Sequence, residues 1–324
     1  MSAGGEAAAQ STISLCGRSA DTGVRCSDRW GDLRTNYGFG LIRHRLSPLN
    51  KLMRISFLAP LGFALWFTSV SPLLGAEPIR LQSGPASTPL LELFSSEGCS
   101  SCPPAETWLS RLKNDPRLWK DFVPVAFHVD YWDYLGWKDP FATKAHSERQ
   151  RAYAGQWRSE SVYTPGFVLN GKEWRGWEHR DAPTGASTKS VGVLTAVSED
   201  GREWTLQFRP TTGSTASSYE FHAALLGSEI KSSVKAGENR GRVLEHDFAV
   251  LIDAKVAVKK DGQTFQGTVT FDSKPLASPH RLALAAWVTT TSSLQPVQSV
   301  GGWLPKSDTR RERSADAPPS RRRG

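Results

Sequence analysis

The chain has 324 residues, enough for two domains, and carries a formal net charge of +8. The charge sits at the ends. Residues 1–52 hold 7 basic against 4 acidic side chains and residues 305–324 hold 7 against 3, which leaves a near-neutral body of 26 against 25. That distribution excludes the extended basic surface of a nucleic-acid-binding protein, and four cysteines are too few for a disulfide-stapled mini-protein.

Residues 1–52, rich in Gly, Ala, Ser and Arg without a sustained period, read as a disordered leader that need not belong to the natural product. From Met53 the sequence has the layout of a secretory signal over residues 53–76. Arg54 supplies the positive start, Ile55 to Phe67 the apolar stretch, and Gly75-Ala76 a small-residue cleavage site, with Leu74 as an imperfection. The rival reading makes residues 55–74 an uncleaved membrane anchor flanked by Arg43, Arg45, Lys51 and Arg54, although Pro60 and Pro72 interrupt it. Both readings place the body outside the cytoplasm, periplasmic or secreted. Only the second makes a membrane its partner. Residues 77–89 read as a Pro/Ser/Gly linker.

The body then alternates. Leu90–Phe94 is a short apolar run of the kind a buried strand uses, followed by a small polar turn and by Cys99 and Cys102 at the expected start of a helix. Pro103 and Pro104 suit a first helical turn, and Ala105–Leu118 continues the helix. Phe122–Val129 predicts a second strand, Asp130–Pro140 an aromatic and acidic loop, and Phe141–Trp157 a second helix. Val162–Asn170 predicts a third strand that turns at Asn170-Gly171 into Lys172–Arg175. This βαβαββ order over residues 90–188 predicts a central sheet with helices on its faces. Over residues 189–304 the texture becomes six strand-like segments and turns: Val191–Val197, Glu203–Phe208, Tyr219–Leu226, Phe248–Val258, Thr264–Phe271 and Leu282–Thr289. They predict an all-β sandwich-like domain. Residues 305–324 read as a disordered basic tail.

Chemistry concentrates at Cys99 and Cys102. A helix N-terminus favours a thiolate at the first cysteine, and the second lies one turn on, placed to resolve a mixed disulfide. A structural disulfide is the plainer reading of the same pair. The body has no second cysteine pair with which to complete a four-thiolate zinc site. Thr164-Pro165 reads either as an ordinary strand-start proline or as a cis-proline that turns the preceding backbone toward an extended substrate. Asp130, at the end of the second strand, is a candidate proton acceptor for Cys102. His128 reads as a packed residue, or with Cys99 and Cys102 as a copper or zinc ligand set with an open position. Tyr131, Trp132, Tyr134, Trp137 and Phe141 form either a lip around the cysteines or the packing of a long insertion. Glu97 receives no role.

The order strand, C-x-x-C, helix, strand, Thr-Pro strand and Asn-Gly hairpin is similar to that of thioredoxin. More closely, LFSSEGCSSCPPAE, FHVDYWDYLGWKDPF, ERQRAYA, VYTPGFVLNG and the later AGENRGRVLEHDFAV resemble a bacterial family of exported thioredoxin-like proteins of unknown function, over about Leu90 to Leu304. The resemblance implies a thioredoxin fold with Cys99, Cys102 and Pro165 at a redox site, followed by a β-rich second half. With the strand texture, the expected fold class is an α/β thioredoxin-like domain followed by an all-β sandwich-like domain. It implies no substrate. Ser100-Ser101 replaces the Gly-Pro of ordinary thioredoxin, no Trp precedes Cys99, and the aromatic loop with its following helix is extra. The expected function is thiol–disulfide exchange by an oxidoreductase without a dissociable cofactor, acting on a protein or small-thiol disulfide. The alternatives are a binding or assembly module with a static bridge, and a metal carrier.

Overall fold

The computed structural model describes residues 77–183, 188–214, 216–271 and 279–305, all within one compact unit spanning Ser71–Gly324. The leader, the signal or anchor of residues 53–76, and the tail from residue 306 onward lie outside the described residues. No helix among the described residues is long and apolar enough to cross a membrane.

The first half of the body builds β1 (Ile79–Gln82), β2 (Leu90–Ser95), α1 (Pro103–Arg111), β3 (Val123–Val129), β4 (Ala142–Thr143), α2 (Lys144–Trp157), β5 (Gly166–Leu169) and β6 (Lys172–Glu173). Cys102 is the N-cap of α1 and Pro103-Pro104 occupy its first turn, where a missing N–H costs nothing. α2 starts at Lys144 because the Thr143 hydroxyl accepts the His146 N–H at 3.1 Å, so the residues expected to begin this helix form β4 and its lead-in. The β5–β6 turn is made by Asn170 and Gly171 with φ of 49° and 82°, a left-handed pair that suits these two residue types.

The second half builds β7 (Gly192–Ser198), β8 (Glu203–Pro210), β9 (Tyr219–Ser228), β10 (Ile230–Ser233), β11 (Val243–His246), β12 (Ala249–Val256), β13 (Lys259–Asp261), β14 (Thr264–Thr270), β15 (Arg281–Thr290) and β16 (Pro296–Trp303). These strands do not close on themselves. β12 takes the edge of β3, pairing in parallel at Ala249–Ala126, and the Ala126 N–H donates to the Phe248 carbonyl at 2.8 Å. The result is one nine-stranded sheet in the order β16-β15-β9-β12-β3-β2-β5-β6, with β4 beside β3. The expectation of an α/β thioredoxin-like domain followed by a separate β sandwich is therefore incorrect. The fold is predominantly β, with two α-helices among the described residues, and strands from both halves share one sheet. The physical reason is the edge of β3: an open strand edge pairs with whatever strand reaches it, and β12 does.

A five-stranded sheet, β1-β7-β8-β14-β13, covers one face of the C-terminal strands. Alternation along β15 divides the core in two. Leu284, Ala286 and Val288 pack with Trp204, Leu206 and Phe208 of the five-stranded sheet, while Ala283, Ala285 and Trp287 join Phe94, Phe127 and Tyr153 on the helix-covered side.

The apolar run of β2 hides a charge. Glu92 is fully buried, accepting from Arg149 Nε at 2.6 Å and from the Tyr153 hydroxyl at 2.5 Å, both on α2. Burial alone would lower the Arg149 pKa, but the Glu92 carboxylate outweighs it and keeps the guanidinium firmly protonated. That guanidinium also lies over the rings of Phe127, Tyr153 and Trp287, so one side chain joins α2 to β2, β3 and β15. Arg149→Met is expected to cost about 3–5 kcal/mol because it strands a buried carboxylate. The double variant Glu92→Gln/Arg149→Met is expected to recover part of that loss. Denaturant unfolding of the two variants checks both.

Candidate functional site

The loop after β2 turns tightly before α1. The Cys99 N–H donates to the Ser96 carbonyl at 3.1 Å, the Gly98 N–H to the Ser96 hydroxyl at 3.1 Å, and the Cys102 N–H to the Cys99 carbonyl at 3.3 Å. Gly98 is required by close approach, since a Cβ there would come within 2.9 Å of the Trp132 Cβ. Cys99 and Cys102 are joined as a disulfide, and both residues are 0% exposed.

Three segments cover that disulfide. The Thr164-Pro165 bond is cis, and the Thr164 carbonyl oxygen lies 3.7 Å from Cys99 Sγ and accepts from the Ser101 hydroxyl at 3.4 Å. Trp132 reaches across Gly98 and donates its indole N–H to the Thr164 hydroxyl at 2.8 Å. The third segment is the connection between β10 and β11. There the buried Asn239 amide donates to the carbonyls of Glu97 at 2.9 Å and Cys99 at 2.8 Å, and the Glu238 carboxylate accepts the Ser100 N–H at 2.9 Å. Glu238 thus supplies negative charge at the N-terminus of α1, and its bonding to Ser100 holds its own pKa below the usual carboxylate range.

Beneath the disulfide lie five ionisable groups that are almost fully buried. His246, at the end of β11, is bonded on both ring nitrogens: Nδ1 to Glu106 Oε2 at 2.7 Å and Nε2 to Glu97 Oε1 at 2.9 Å. Glu106 sits one helical turn after Cys102 and also accepts from the Ser95 hydroxyl. His128 of β3 is bonded through Nδ1 to Asp139 at 2.7 Å, and Asp139 further accepts the N–H groups of Glu97 at 2.8 Å and Phe141 at 2.9 Å. The second oxygen of Glu97 takes the Trp137 indole N–H at 2.6 Å. The two imidazole rings meet edge to face, 4.9 Å apart.

Desolvation opposes charge on Glu106, His128, Asp139 and His246, and attraction between opposite charges prevails. Burial pushes the His246 pKa down, but the carboxylates of Glu106 and Glu97 raise it to about 10. His128 is likewise raised by Asp139 against its burial. Glu106 and Asp139 are pushed up by burial, yet end below the usual carboxylate range because of His246 and His128 respectively.

Of the residues singled out by sequence, the structure brings together Cys99, Cys102, Thr164 and Pro165. It places Asp130 elsewhere: Asp130 Oδ1 accepts the Ser147 hydroxyl of α2 at 2.5 Å, and no contact links it to either cysteine among the described residues. The carboxylate one turn from Cys102 is Glu106. His128 meets Asp139, Glu106 and His246, so the Cys99–Cys102–His128 ligand set does not assemble among the described residues. In the aromatic stretch Trp132 and Trp137 face the loop, Phe141 packs on both histidines, Tyr131 donates to Gln150, and Tyr134 is 77% exposed. Sequence reasoning missed Glu97, Glu106, Asp139, Glu238, Asn239 and His246. Two signals pointed to all but Asp139: carboxylates flanking the cysteines at positions 97 and 106, and the stretch AGENRGRVLEHDFAV, which carries Glu238, Asn239 and His246.

Fold and site together define a class: a predominantly β protein with a buried C-x-x-C disulfide at a helix N-terminus, seated on an ionic network. The chain belongs to the family described as "Protein of unknown function (DUF1223)", which it matches over residues 90–289. Among solved structures it is similar to protein AGR_C_4864 from Agrobacterium tumefaciens, with 22% identity, 70% of this chain and 97% of that chain covered, and a TM-score of 0.46. It is also similar to HBP35 of Porphyromonas gingivalis, with 12% identity, 69% and 77% covered, and a TM-score of 0.46. No curated protein matches the chain.

The network carries a stability prediction. His246→Ala leaves Glu97 and Glu106 buried without their cation and is expected to cost about 3–5 kcal/mol in denaturant unfolding. Because the folded-state pKa of His246 is raised, its contribution in metal-free buffer is complete below about pH 6.5 and fades as pH rises through about 10. The lowered carboxylates Glu106 and Asp139 work in the opposite sense, contributing above their ordinary values of 4.5 and 3.8 and losing that contribution as pH falls further. Stability in the wild type is therefore expected to decline on both sides of neutrality, and the alkaline decline is expected to shrink in His246→Ala to the part carried by His128, whose pKa is also raised.

Proposed function

We propose that the chain is a thiol–disulfide exchange protein whose reacting pair is Cys99 and Cys102, exported to an oxidising compartment by the segment at residues 53–76. The observation that supports it is the placement of the pair. The disulfide spans the N-terminus of α1, where a thiolate is favoured, and Cys99 Sγ faces the Thr164 carbonyl across the cis Thr164-Pro165 bond. In this reading an incoming thiolate attacks Cys99 Sγ, and the bond to Cys102 breaks. Cys102 leaves as a thiolate and takes up a proton. In the reverse direction the Cys99 thiolate attacks a substrate disulfide and expels one of its sulfurs, and Cys102 resolves the mixed disulfide. The substrate is a protein or small-thiol disulfide, and no dissociable cofactor takes part.

A second reading, a static bridge in a binding or assembly module, is favoured by one observation: both cysteines are fully buried under Asn239. Reaction in the first reading requires the 234–242 connection to lift. Trapping separates the two. Cys102→Ser is expected to accumulate a mixed disulfide through Cys99, with a model peptide disulfide and in extracts of the exported fraction. Asn239→Ala is expected to speed reduction of the wild-type disulfide by a small thiol about tenfold, equivalent to losing hydrogen bonds worth roughly 1–1.5 kcal/mol. No adduct under either oxidising or reducing conditions, together with a disulfide equally inert in both backgrounds, would sink the exchange reading and leave the static one.

A further inference from the structure

The groups beneath the disulfide do more than neutralise one another. Glu106, His128 and His246 come from three elements, α1, β3 and β11, and all three are buried. Each offers one ligand atom, and these atoms lie within 4.8 Å of one another. Both imidazoles are already oriented by a second carboxylate: His128 through Nδ1 on Asp139, at 2.7 Å, and His246 through Nε2 on Glu97, at 2.9 Å. That is how outer-shell carboxylates fix the tautomer and basicity of metal-ligating histidines. The orienting groups are themselves held, Asp139 by two backbone N–H groups and Glu97 by Trp137. What remains for a ligand is Nδ1 of His246, which shares a proton with Glu106, and Nε2 of His128, the ring nitrogen that Asp139 does not hold.

We propose that Glu106, His128 and His246 form a binding site for a first-row divalent cation, with Glu97, Asp139 and Ser95 as its outer shell. Two imidazoles and one carboxylate are the donor set of zinc and its neighbours, whereas calcium and magnesium take oxygen ligands. At Zn–N and Zn–O lengths of about 2.0–2.2 Å, tetrahedral ligand atoms sit about 3.3 Å apart. The His246–Glu106 pair at 2.7 Å therefore opens slightly as the ion replaces their shared proton, and His128 closes in. Charge is conserved, since one divalent ion with two neutral imidazoles leaves the five groups as charged as two imidazolium ions do. Three protein ligands leave a coordination position open. Neither cysteine belongs to the site. It is therefore independent of the exchange reading and is tested with the disulfide intact.

The test uses tag-free, oxidised full-length protein stripped with a chelator, titrated with Zn²⁺ by calorimetry and with Co²⁺ by absorption. The expected result is one equivalent bound, with tetrahedral Co²⁺ bands and no thiolate charge-transfer band. His128→Asn and Glu106→Gln are expected to lose binding, and the outer-shell variant Asp139→Asn to lose about 10–100-fold in affinity. Cys99→Ser/Cys102→Ser is expected to retain it. Zn²⁺ is also expected to raise the wild-type Tm. Circular dichroism of each variant separates lost ligands from lost folding, and the wild-type measurements decide the matter even where a variant does not fold. Absence of stoichiometric binding to the wild type would overturn the proposal. So would a thiolate band, or loss of binding in the double cysteine variant.

Discussion

Everything around the disulfide depends on one buried side chain, His246, held between Glu97 and Glu106. Glu97 lies in the loop that leads to Cys99, and Glu106 lies on the helix that follows Cys102. A cation between them fixes the loop and the helix relative to each other. Without it two carboxylates would be buried against mutual repulsion, an arrangement worth several kcal/mol of instability. His246 comes from β11, far away in sequence, so the geometry of the cysteine loop is set by a strand of the second half of the chain. This accounts for the continuous sheet: β12, which follows His246 directly, pairs with β3, and β3 carries His128 at its C-terminal end.

The same dependence governs access to sulfur. The connection between β10 and β11 leaves Asn239 on the carbonyls of Glu97 and Cys99, and Glu238 on the Ser100 amide. The strand pair that delivers His246 to the underside of the loop also delivers a clamp to its upper side. In the exchange reading, reactivity of Cys99 would be set by the strength of a few polar contacts on a short connection, and by the negative charge of Glu238 at a helix terminus that would otherwise stabilise a thiolate. Either a cation at the three ligands or the protons now on the two imidazoles would serve to hold the carboxylates together.

Local features were legible in the sequence. The β2 run, the Cys99–Cys102 pair with Pro103-Pro104 behind it, the Asn170-Gly171 turn and most strands of the second half announce themselves through period, turn chemistry or proline position. What stayed hidden is non-local. Glu92 sits within an apolar run and is tolerated only because Arg149 and Tyr153 arrive from α2, which no local pattern reveals. Glu97 reads as an exposed turn carboxylate until His246 and Trp137 are placed upon it. The capture of the β3 edge by β12 rests on a single parallel register, Ala249 on Ala126, and two halves with distinct textures therefore suggested two separate domains. Asp130 was chosen for its position at a strand end, whereas its hydroxyl partner on α2 turns it away from the cysteines.

The central claim is that His246 is an imidazolium clamped between two carboxylates. Nitrogen-15 chemical shifts of its ring, followed against pH in metal-free protein, test it directly. The account predicts a doubly protonated ring at neutral pH that titrates near 10. A neutral ring at pH 7, titrating at or below the ordinary 6.5, would contradict it.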